Sequence, residues 1–178
     1  MKMLKFYTTV ILMLLLPMFA AAADKEKIIM GWMEAAGLPD WDVVVKAKLD
    51  TGAKTCSIDA HDIEFFNKGG TDWVRFSLDL PKGKANKELK IKVERPIIRQ
   101  ANIKEHSSKN QQRPVISLPI TLGGKNYQPE FTLVDRSKFL NPILLGRDFL
   151  QHVAIIDPDH RFLLGVPDGI DKYAKRKK

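Results

Sequence analysis

Residues 42–60 read DVVVKAKLDTGAKTCSIDA, and the fold turns on how this stretch is read. Val43, Val45, Ala47 and Leu49 fall on every second position, the period of a strand that keeps one face in a core. That strand delivers Asp50 into a Thr51-Gly52 turn. Asp, Thr and Gly are common turn formers, so the turn alone is compatible with an ordinary polar reversal. Its meaning depends on the segments around it.

Those segments read mostly as strands. DIEFF and DWVRFSLDL flank NKGG, a hairpin signal through Gly69-Gly70. ELKIKVERPII continues the alternation, with Leu89, Ile91 and Val93 on one face and lysines on the other. PILLG has the profile of a buried strand, RDFL of a short helical turn, and VAIID-PDH-RFLLG of a final hairpin through Pro158-Asp159. One amphipathic helical candidate lies near KIIMGWMEAAG. The expectation is an all-β, mainly antiparallel domain, closed or nearly so, with one or two short helices. The polar stretch 99–113, RQANIKEHSSKNQQR, lies between apolar strand patterns and reads either as a functional loop or as a surface hairpin.

The chain has 178 residues, a formal charge of +8 and 44% apolar content, which suits one globular domain. Residues 1–23 carry Lys2 and Lys5, an apolar run from Val10 to Leu16 and a closing Ala21-Ala22-Ala23, the pattern of a signal peptide. The apolar run is shorter than the roughly 20 residues of a spanning helix and is broken by Pro17, so an uncleaved anchor is the alternative reading. Export to the periplasm is the expectation. Cys56 is the single cysteine, so no internal disulfide forms, and it reads as a small buried residue. Positive charge collects between Lys82 and Arg113 and in the tail 171–178, consistent with a solvated face or with attraction to acidic peptides and anionic membrane surfaces. Nucleic acid is not expected, since no recognition motif for it is present.

Several chemistries lack their residues. There is no His-Glu-x-x-His and no Cys cluster, and a zinc site would have to draw on His61, His106, His152 and His160 from distant segments. No Gly-rich phosphate loop and no Gly-x-Ser-x-Gly are present, so neither nucleotide binding nor serine hydrolysis is indicated and no cofactor is expected. What remains is LDTGA with ILLGRD about ninety residues later.

GWMEAAGLPD, VKAKLDTGAKTCSIDA, ERPII, RPVISLPITLGG, FTLVDR and PILLGRDFL with IIDP stand in this order and together resemble one bacterial family. It is the retropepsin-like aspartic endopeptidase family, earlier labelled ATP-dependent zinc protease, and the resemblance runs from about Met30 to Gly165. It implies a retropepsin-like barrel, the half of an acid protease, over residues 24–170. It also implies peptide hydrolysis by two carboxyl groups that share one proton across a water molecule. A pepsin-like chain carries two Asp-Thr-Gly turns, whereas this one has a single turn, so the resemblance implies a homodimer with Asp50 and its symmetry mate at the axis. Thr51 would interlock across that axis and Gly52 would shape the turn. Ala53 and Ile103 would lie beside a peptide or protein substrate, which the basic charge marks as acidic. Stretch 99–113 is the candidate flap.

Lys54, Gly146, Arg147 and Asp148 would support the site. Where similar viral enzymes have an acidic residue after DTGA, this chain has Lys54, and the expected arrangement is an ion pair between Lys54 and Asp148. Two other readings remain beside the peptidase: a silent peptide- or partner-binding module on the same fold, and the zinc-dependent protease of the older label.

Overall fold

The strand expected after Asp42 forms as β3 (Val43–Leu49), its residues alternating between buried and half-buried along its whole length. The computed structural model describes residues 26–80, 89–104 and 110–165. The expected signal peptide 1–23 and basic tail 171–178 lie outside the described residues. Val43, Val45, Ala47 and Leu49 point into the core, while Lys46, Lys48 and Asp50 share the opposite face.

β3 pairs antiparallel with β2 (Met33–Leu38) and parallel with β13 (Ile143–Leu145). β13 pairs on its other side with β4 (Cys56–Asp59), which runs parallel to β12 (Glu130–Val134). β12 pairs in turn with β9 (Asn110–Ser117), and β9 with β8 (Arg99–Lys104). Beyond β2, the ladder ends in β10 (Ile120–Leu122) and β11 (Lys125–Tyr127). These nine strands curl into a half-barrel, the retropepsin-like all-β architecture, with a four-residue helix α1 (Arg147–Leu150) and a 3-10 turn at Pro39–Trp41. Phe131, Ile116, Ile143, Leu133 and Ile58 fill the core. Each such side chain contributes about 1.5–3 kcal/mol relative to exposure.

A separate three-stranded sheet holds β5 (His61–Lys68), β6 (Thr71–Leu80) and β7 (Leu89–Pro96). Gly69 and Gly70 form the expected hairpin between β5 and β6. Both have positive φ, 61° and 80°, the primed-turn geometry that matches strand twist and that residues with a Cβ resist.

Two expectations fail at the chain's ends. KIIMGWMEAAG forms strands, β1 (Ile28–Gly31) and β2, in place of a helix. β2 is buried at nearly every position, so its apolar residues carry no strand alternation. The final segment does not fold back as a hairpin either: β14 (Ala154–Asp157) pairs in parallel with β1, and the chain beyond it turns at Phe162, whose φ is 57°.

Glu34 explains that turn. It is fully buried and accepts the N–H groups of Gly31 at 2.7 Å, Leu163 at 2.9 Å and Leu164 at 3.3 Å. Burial pushes its carboxyl above the ordinary range, while the backbone donors pull the other way. Glu34→Ala would leave these donors without an acceptor and is expected to cost about 2 kcal/mol, read as a lower denaturation midpoint at constant m-value.

Candidate active site

β3 and β4 are consecutive in the chain but not neighbours, because β13 lies between them. The chain from Asp50 to Thr55 must therefore arch over the end of β13. Backbone bonds fasten this arch: Asp50 N–H donates to Leu145 O at 2.9 Å, Arg147 N–H to Ala53 O at 2.9 Å and Asp148 N–H to Lys54 O at 2.9 Å. Gly146 packs under it. A Cβ there would lie 2.5 Å from Thr55 O and 2.7 Å from Lys54 O.

The arch presents Asp50. Its Oδ1 accepts the N–H groups of Gly52 at 3.0 Å and Ala53 at 3.3 Å, which fixes the carboxylate plane. Oδ2 accepts from Lys48 Nζ at 2.8 Å. The Lys48 bond, reinforced by the turn amides, holds the Asp50 carboxyl below its ordinary range against the opposing effect of partial burial. Thr51 and Gly52 are exposed, so the tip of the turn faces outward. Behind it, Arg147 Nη1 donates to Thr51 O at 2.8 Å and Gly52 O at 2.9 Å, tying α1 to the turn. The backbone amides orient the carboxylate, and the arginine braces their carbonyls.

Most of the residues expected at the site thus come together: Asp50, Thr51, Gly52, Ala53, Lys54, Gly146, Arg147 and Asp148 form one arch and its support. The Lys54–Asp148 ion pair does not form. These two residues meet through the backbone bond above, and among the described residues no side-chain ion pair joins them. Arg147 is exposed and supports the site through the turn carbonyls. Ile103 lies on β8 opposite Gln111, with its side chain outside the described set. Stretch 99–113 supplies β8 and the start of β9, two antiparallel arms whose connection at 105–109 is likewise outside.

Two residues were missed. Lys48 was legible, because residues two apart on a strand share a face. Arg136 was not: its guanidinium is buried, with Nη1 donating to Ser57 Oγ at 3.0 Å and Nε to Asn141 O at 3.1 Å, and it stacks on Phe139 at 4.6 Å. It clamps the segment after β12 against β4. Cys56 is buried, accepts Gly146 N–H at 3.3 Å, and its thiol is pushed up to about 11 by burial. Such a thiol is no nucleophile.

The described histidines have separate partners. His160 meets Asp157 at 2.8 Å and His152 meets Gln151 at 2.9 Å. His61 Nε2 lies 3.3 Å from Asp59, and its Nδ1 lies 3.9 Å from Asp135. Asp59, His61 and Asp135 hold donor atoms within 4.8 Å of one another. However, the imidazole turns a different nitrogen to each carboxylate, and Asp59 Oδ1 already accepts Arg136 N–H. The trio is a polar bridge joining β4, β5 and the segment after β12.

A family model described as "Retropepsin-like aspartic endopeptidase RimB" matches residues 29–166. A probable alpha-L-glutamate ligase of Shewanella pealeana is 33% identical over 141 residues, which cover 79% of this chain and 30% of that protein. One from Desulfotalea psychrophila is 34% identical over 143 residues, covering 80% and 30%. The chain thus spans about a third of the length of these relatives. The crystal structure of Lpg0085 from Legionella pneumophila, described as of unknown function, is 33% identical with a TM-score of 0.64, covering 78% of this chain and 99% of that one. Because the family model matches well over half of the chain, and the fold is the curled half-barrel of that architecture, this chain belongs to the RimB-like family of retropepsin-like aspartic endopeptidases.

Proposed function

We propose that the chain is an exported aspartic endopeptidase whose catalytic dyad is completed by a second copy of itself. The observation that carries this reading is the partly exposed Asp50 carboxylate, oriented by two turn amides beside an outward-facing tip. Among the described residues no second carboxylate is bonded to it, so the partner acid comes from a two-fold mate. In that arrangement the two Asp50 groups share one proton. The ionised carboxylate takes a proton from water as the water oxygen attacks the scissile carbonyl carbon, and the protonated one donates to the carbonyl oxygen. Thr51 from each copy holds the pair together and Ala53 lies beside the substrate. Ile103 and the β8–β9 arms close over it.

An acidic peptide suits this site. The chain carries a formal charge of +8, and Lys48 and Arg147 flank the turn. Its relatives' names also attach this unit to ligases of glutamate. Residues 1–23 direct export to the periplasm, 24–170 form the catalytic unit, and the tail 171–178 gives weak contact with anionic membrane. A specific observation favours a second reading, a peptide-binding module without turnover: the Asp50–Lys48 ion pair fills the outer carboxylate oxygen.

The test is cleavage of an unstructured, glutamate-rich peptide by the protein lacking residues 1–23, with sedimentation alongside. The expected result is activity per chain that rises with chain concentration as dimer forms, and that persists with a chelator. A strict monomer without cleavage from acidic to neutral pH overturns the peptidase in favour of the binding module. Activity abolished by chelator moves the chemistry to a metal.

A further inference from the structure

Asp50 spends its two oxygens differently. Oδ1 is committed to the turn amides at 3.0 and 3.3 Å. Oδ2 is the oxygen left for a second carboxylate, an attacking water or a substrate, and Lys48 Nζ occupies it at 2.8 Å. We propose that Lys48 is a positioning residue for the Asp50 carboxylate: its ammonium holds the one oxygen the reaction needs, and its release governs when the site works. This rests on the reading of Asp50 as a catalytic carboxylate.

The fold places the ammonium there. Lys48 and Asp50 are two apart on β3 and share a face. The neighbouring strands put apolar residues beside Lys48, Met33 from β2 and Leu144 from β13. The other charged groups around Asp50 act differently. Lys46 stands one step further back on the same face of β3. Arg147 of α1 is bonded to the turn carbonyls, and Arg136, from the segment after β12, acts on Asp50 through space. Lys54 and Asp148 meet in the backbone of the arch. Lys48 is the charged group seen to bond the carboxylate directly, at 2.8 Å.

The consequence follows from charge. Two bare carboxylates meeting at an axis repel until they capture a proton, whereas two Asp50–Lys48 pairs are neutral and meet without one. The shared proton is then taken up only at lower pH, once the flexible, half-exposed lysine swings off Oδ2. A lysine here confines the site to acid conditions.

The experiment compares wild type with Lys48→Met, which keeps the stem and removes the charge, and Lys48→Arg, which keeps the charge. Two quantities are read on the protein lacking residues 1–23: the Asp50 carboxyl titration by carbon-13 NMR, and kcat/KM against pH on a glutamate-rich peptide. In Lys48→Met the midpoint is expected to rise and the pH profile to move with it. Above the wild-type optimum, the variant should then retain roughly three- to tenfold more of its own maximal rate than wild type does. Lys48→Arg is expected to stay near wild type. An unchanged Asp50 midpoint in Lys48→Met overturns the proposal, as does a shifted midpoint with an unmoved pH profile. A shifted midpoint with no cleavage by any form sinks the peptidase reading, while Lys48's hold on the Asp50 charge stands.

Discussion

Asp50→Asn is expected to lower kcat/KM on an unstructured peptide by at least about 10³-fold while the protein stays folded. The amide is isosteric, and its oxygen can keep the Gly52 and Ala53 N–H bonds that shape the turn. What it cannot do is take a proton from water or share one with a symmetry mate. Folding loses little, because the Lys48 ion pair is partly exposed, at 44% for the lysine and 24% for the aspartate, and such pairs contribute no more than about 1 kcal/mol. The pH dependence of that contribution has a definite sign. The folded carboxyl lies below its ordinary range, so the stabilisation is present above the unfolded value and is lost as pH falls through the folded one. Asp50→Asn should therefore flatten a small acid limb of the stability curve. Cleavage retained at the wild-type rate in Asp50→Asn removes the catalytic assignment; a collapsed fold would mean that the carboxylate's charge is needed by the arch itself.

The sequence showed β3 and the hairpin at Gly69-Gly70 because both are local: one rests on a two-residue period, the other on two residues free to adopt positive φ. The stretch 28–38, at the start of the expected domain, was less legible. β1 and β2 take their shape from partners at the far end of the chain and from β3, and a strand buried on both faces loses the alternation that would announce it. The final hairpin was misread for a related reason. Nothing near Pro158 signals that β1 will pair with β14, or that Glu34 will take the N–H groups of Leu163 and Leu164.

The site divides in the same way. The Asp-Thr-Gly turn and ILLGRD could be paired as segments, but the contacts between them follow from the arch over β13, which is a matter of strand order. An acidic residue beside an arginine suggested an ion pair for Lys54. In the fold, backbone bonds consume that junction, and the side chain that reaches a carboxylate is Lys48. Arg136 could not have been placed, since its partners Ser57 and Asn141 meet only when β4 and the segment after β12 are side by side.

Gly146→Ala is expected to destabilise the fold by about 3 kcal/mol or more and to abolish activity with it. The backbone at Gly146 has φ −95° and ψ 178°, a conformation any residue adopts, so the cost is steric and not conformational. The added methyl would stand 2.5 Å from Thr55 O and 2.7 Å from Lys54 O, and neither atom is the end of a flexible side chain. To make room, the arch must lift off β13. That breaks the bonds from Arg147 N–H to Ala53 and from Asp148 N–H to Lys54, and moves the turn that orients Asp50. Gly52→Ala is the contrast that isolates the cause. Its Cβ would meet only Asp50 Oδ1, at 3.2 Å, so a few tenths of an ångström of side-chain movement accommodates it. Denaturation should therefore separate the two, with a large fall in midpoint for Gly146→Ala and a small one for Gly52→Ala, while both lose activity. Equal midpoints would mean that the arch yields more easily than its backbone contacts require, and the rigid support of Asp50 by β13 would have to be given up.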